Sequence, residues 1–87
     1  MLRIYAKKEG KKTKVLYLEG KISKDWMREL ESEISKGIKE GEKVIVDFSK
    51  VSYIDEQAAD MLNQFPIKKV EKRNGSLFIR TMLKMEG

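Results

Sequence analysis

The stretch VIVDFSKVSYIDEQAADMLNQF, residues 44–65, decides how the chain is read. With Lys43 it opens as KVIVDF, a nearly continuous apolar run rich in β-branched residues. That is the composition of a strand covered on at least one face and flanked by neighbours on both edges. The segment SKVSYID then turns the chain, and a helix begins near Glu56 with Ala58, Met61, Leu62 and Phe65 at inward spacing. Asp55 stands where an N-cap belongs and Glu56 in the first turn, placements worth about 0.5–2 kcal/mol to a helix start. Pro66 lacks a backbone donor, so it interrupts or kinks the helix.

Upstream, LRIYAKK alternates Leu2, Ile4 and Ala6 against Arg3, Tyr5 and Lys7, the period of a strand. EGKKT turns the chain into a second strand, residues 14–19, and so short a connection implies an antiparallel hairpin. Ser23 is placed as the N-cap of an amphipathic helix carrying Trp26, Met27, Leu30, Ile34 and Ile38 inward as far as Gly41. Downstream of Pro66, IKKVEKRNG reads as a basic helical turn or two stopped by Asn74-Gly75, and SLFIRTM, residues 76–82, as a last strand. The expected fold is a two-layer α/β domain with a mixed sheet: an N-terminal hairpin, then parallel strands joined by right-handed crossovers with the helices on one face.

The 87 residues suffice for one domain, 1–87, and no second core. With 40% hydrophobic and 38% charged residues the chain is apolar enough to fold. No apolar run reaches the roughly 20 residues of a membrane helix, and MLRIYAKKEG does not resemble a signal peptide, so no membrane insertion and a cytoplasmic location are expected. Zero cysteines and zero histidines remove disulfides, Cys or His nucleophiles and imidazole acid–base chemistry. Asp47, Asp55 and Glu56 could hold magnesium, but acidic clusters at strand ends are common without metal, and no cofactor is expected. Asp55 and Glu56 are adjacent and do not face each other across a substrate, so an enzyme is not expected.

The net charge of +5 hides an acidic middle, residues 44–67, between two basic ends. The basic cluster Lys68, Lys69, Lys72 and Arg73 has no interleaved aromatics, so it is expected to be a solvated surface and nucleic acid is not expected as a partner.

VLYLEGKIS, the amphipathic helix that follows it, and VIVDFSKVSYIDEQAADML together resemble the STAS domain, named for sulphate transporters and anti-sigma-factor antagonists. The similarity runs from about Val15 to Ile79. In regulatory members of that family the turn reads Asp-Ser-Ser-Gly, and a partner kinase that is also the anti-sigma factor phosphorylates the second serine. Here Asp55 matches the aspartate, Glu56 and Gln57 stand at the serine positions and Ala58 replaces the glycine. No hydroxyl is left at that turn to carry the added charge of roughly −1.5 to −2.

The resemblance implies a non-catalytic interaction module that docks on a protein through Asp55, Glu56, Gln57 and Ala58 and through Asp60 and Met61 of the second helix. The implied partner is an anti-sigma or kinase-like factor, or alternatively a transporter ATPase assembly in which the chain is a subunit. Family members also carry a helix after the last strand that LKMEG is too short to supply. That leaves apolar surface near Leu77, Ile79 and Leu83 for a partner or a second copy, a homodimer, to cover.

Overall fold

The computed structural model describes residues 2–85. Leu2–Lys8 (β1) and Thr13–Ile22 (β2) form the antiparallel hairpin, paired from Leu2 with Gly20 to Lys8 with Lys14. The chain continues through Lys24–Lys39 (α1), Lys43–Ile54 (β3), Glu56–Asn63 (α2), Val70–Arg73 (β4) and Leu77–Met82 (α3). The sheet order is β1-β2-β3-β4, with β3 parallel to both neighbours, so the mixed α/β architecture is the one expected. No helix among the described residues is long and apolar enough to cross a membrane.

The core lies on the helix-bearing face of the sheet. Leu16, Leu18, Ile22, Val44, Val46, Phe48, Val51 and Ile54 pack there against Leu30 and Ile34 of α1, Ala58, Ala59, Met61 and Leu62 of α2, and Ile79 of α3. Trp26, Met27 and Ile38 border this core half-buried, as their spacing implies. Gly37 lets α1 pack closely on the sheet: a Cβ there would sit 2.7 Å from Val44 Cγ2.

The segment SKVSYI, expected to turn the chain, is strand instead: β3 runs on to Ile54, and after a bulge its second half pairs with β2 from Glu19–Lys50 to Ile22–Ile54, with Val51 and Ile54 in the core. Two elements after Pro66 also differ from expectation. Residues 70–73 are a strand, not a basic helix, because their alternation is that of an edge strand whose two faces both carry charge. Val70 enters the core and Lys72 bonds Asn63 of α2 on the helix side, while Glu71 and Arg73 meet Lys43 and Tyr17 on the other. Lys72 and Arg73 therefore part company with Lys68 and Lys69, which stay exposed in the preceding turn.

Residues 77–82 are a helix, not a strand. Asn74 takes a left-handed φ of 62°, Ser76 accepts the N–H of Ile79 at its hydroxyl, and Ile79 and Leu83 fall one turn apart on the buried side. Leu77 is 81% exposed and not a core residue. A helix thus does follow the last strand, and Ile79 and Leu83 are covered by the chain itself. Residues 83–85 follow α3, and 86–87 of the closing stretch lie outside the described residues.

Candidate functional site

The site is built at the carboxyl ends of the parallel strands β2 and β3, where open α/β sheets bind their ligands. Both strands run directly into helices there, and the two helix starts are tied by one side chain. The carboxylate of Asp55 accepts the Ala58 N–H at Oδ1 (2.8 Å), capping α2, and the Lys24 N–H at Oδ2 (2.9 Å), capping α1. The Asp55 N–H in turn donates to the Ile22 carbonyl at 3.0 Å. Ser23 occupies the N-cap position of α1 with extended backbone but makes no side-chain capping bond. The expected Ser23 cap is replaced by a carboxylate from the neighbouring strand end, a partner distant in sequence that local patterning does not reveal.

The six site residues expected from the sequence divide by exposure. Glu56, Gln57 and Asp60 face solvent, Asp55 is half-buried with both oxygens engaged, and Ala58 and Met61 lie in the core at 0% and 6% exposure. Glu56 and Asp60 are one helical turn apart and carry like charge, an arrangement that costs an isolated helix about 0.2–0.5 kcal/mol. Neither joins an ion pair among the described residues.

Two further exposed residues, Tyr53 and Phe78, were not expected from the sequence, whereas Leu77 was expected to lie on exposed apolar surface and does. Tyr53, three residues before Glu56, stacks on Phe78 of α3 with ring centroids 5.9 Å apart and planes inclined by 17°. Both rings remain nearly half exposed, and Leu77 beside Phe78 is almost fully so. Taking residues 76–82 for a strand hid this pairing. The signal that could have shown it is Ser76 followed at helical spacing by Ile79 and Leu83.

Asp47, on the helix-free face, is a structural acceptor. It takes the Ser49 N–H at 2.9 Å, the Asn74 side-chain N–H at 2.9 Å and Arg73 Nε at 3.3 Å. Burial pushes its carboxyl up, but the bonds from Ser49, Asn74 and Arg73 together outweigh burial and hold it below the ordinary value. On the other face, burial lowers Lys72, whose ammonium donates to Asn63 Oδ1 at 3.0 Å. Among the described residues no group of acidic side chains is arranged to hold a metal ion.

The family model of the STAS domain matches residues 5–84. Among solved structures, the unphosphorylated form of the anti-sigma factor antagonist SpoIIAA superposes with a TM-score of 0.77 at 14% identity, covering 97% of this chain and 84% of that one. No curated protein sequence matches significantly.

Proposed function

The chain belongs to the STAS domain family, and from that premise we propose that it is a non-catalytic interaction module that docks on a regulatory protein through the start of α2. The docking surface consists of Glu56, Gln57 and Asp60 together with Tyr53, Phe78 and Leu77. One observation carries it: two exposed like-charged carboxylates without ion-pair partners stand on the helix that starts three residues after Tyr53, whose exposed ring stacks on Phe78, at the end of the sheet where such folds bind. The complementary partner presents Arg or Lys beside an apolar anchor. Glu56 and Gln57 offer no hydroxyl, so this docking is not switched by serine phosphorylation at the turn.

Support for binding over catalysis comes from the side chains present. Both oxygens of Asp55 are committed to helix starts, and the sequence has no histidine or cysteine. The test is affinity capture from the native host with the wild type and with Glu56→Arg/Gln57→Arg. The double variant should fold normally and lose the captured protein, whose identity separates a regulatory factor from a transporter ATPase. Equal recovery by both baits contradicts the proposal.

A further inference from the structure

The sheet face opposite the helices carries a cleft of about 290 Å³ lined by Tyr5, Lys7, Tyr17, Glu19, Ser49 and Lys50. It lies where the pairing of β2 and β3 is irregular. The register passes from Tyr17 with Asp47 to Glu19 with Lys50, so β3 carries one extra residue across that step. Such bulges re-aim side chains and open the ladder locally.

Tyr5 and Tyr17 stand directly opposite each other across β1 and β2. Tyr17 is held from one side by Arg73, whose Nη2 donates to its hydroxyl at 3.4 Å and whose guanidinium carbon lies 6.0 Å from its ring centroid. Arg73 is itself fixed by Asp47, which is only 4% exposed. Tyr5 has half of its surface free. A cross-strand tyrosine pair stabilises a sheet without any ligand, but it does not account for the charges around it. Lys7 and Lys50 are both exposed and join no ion pair among the described residues. The one acid of the lining, Glu19, lies opposite Arg3 on β1 and Lys50 on β3, so with Lys7 the face keeps an excess of positive charge.

We propose that this cleft binds a small aromatic carboxylate, the ring against Tyr5 and Tyr17 and the carboxylate between Lys7 and Lys50. Rings on rings favour offset stacking, and ammonium groups give charge-assisted hydrogen bonds to a carboxylate. The volume is at the lower end for ligand pockets, which run from about 300 Å³, and selects a single-ring compound. The cleft is separate from the α2 surface and does not depend on what docks there.

The test is a titration of the ¹⁵N-labelled chain, followed by amide NMR, with sodium benzoate at constant ionic strength. Acetate supplies the anion without the ring in a second arm, and phenol the ring without the anion in a third. Benzoate should produce saturable shifts at Tyr5, Lys7, Tyr17, Ser49 and Lys50 with a Kd of about 1 mM. Acetate and phenol should each bind at least about fivefold more weakly, and Lys7→Gln/Lys50→Gln should weaken benzoate by about tenfold with an unchanged spectrum elsewhere. Tyr5→Leu, which keeps the strand, should weaken benzoate more than acetate. Non-saturating shifts, shifts scattered over the surface, equal binding of acetate and benzoate, or an unaffected lysine variant would each overturn the proposal.

Discussion

Replacing Asp55 should destabilise two helices at once. Its carboxylate makes two charge-assisted bonds to helix N-terminal N–H groups, at 2.8 Å to Ala58 and 2.9 Å to Lys24. A capping contact contributes about 1 kcal/mol, so Asp55→Ala should cost about 2 kcal/mol, where a residue capping only α2 would cost half as much. Asp55→Asn keeps one carbonyl oxygen but turns an amide N–H toward the second helix start, so it should fall about 1 kcal/mol below the wild type. Equilibrium urea unfolding reads this directly. With a slope of about 1 kcal/mol/M for so small a domain, the midpoint should drop by about 2 M for the alanine variant and about 1 M for the asparagine variant. Amide hydrogen exchange should show faster opening of the first turns of both α1 and α2. A midpoint change below about 0.5 M for Asp55→Ala, or faster exchange confined to α2, would refute the double cap.

Asp47 gives a pH-dependent counterpart. Its folded-state pKa lies below the ordinary 3.8, so its contribution is complete above that value and is lost as pH falls through the lower folded-state value. Asp47→Asn should therefore cost about 1–3 kcal/mol at pH 7 and much less near pH 2, checked by urea unfolding at both. An equal cost at both values would contradict the sign. Gly37→Ala should destabilise by about 1 kcal/mol or more despite the better helix propensity of alanine, because the new methyl meets Val44 Cγ2 at 2.7 Å. A rise in the thermal midpoint would show that α1 can move off the sheet freely.

The elements whose apolar period is undiluted were legible in the sequence. β1, the hairpin, α1, the first half of β3 and the start of α2 each show one period over at least a turn or a strand face, and each lies where that period implies. Two errors precede Pro66, the Ser23 cap and the second half of β3, whose apolar period is broken by a bulge; the others fall after it, where elements are only four and six residues long and charge occupies both faces of the strand. A basic run such as Val70–Arg73 pairs with β3 because Val70 fits beside Val44 in the core, a tertiary effect that outweighs local preference. The candidate site was legible in part. Asp55 was placed correctly as the cap of α2 from the residues around it, but its second role depends on the parallel neighbour that brings Lys24 within reach. Tyr53 and Phe78 meet across 25 positions, and no local pattern encodes that stack.

The central claim is that a protein partner is held at the start of α2. Site-specific photo-crosslinking from the native host tests it most directly, with the crosslinking residue placed at Gln57 or Asp60, and at Lys11 in the β1–β2 turn as the distant control. Gln57 and Asp60 are exposed and make no contact that the fold requires. One discrete adduct is expected, the same protein from both α2 positions and none from position 11. Adducts of the same protein from position 11 alone, or no discrete adduct from either α2 position, would contradict it.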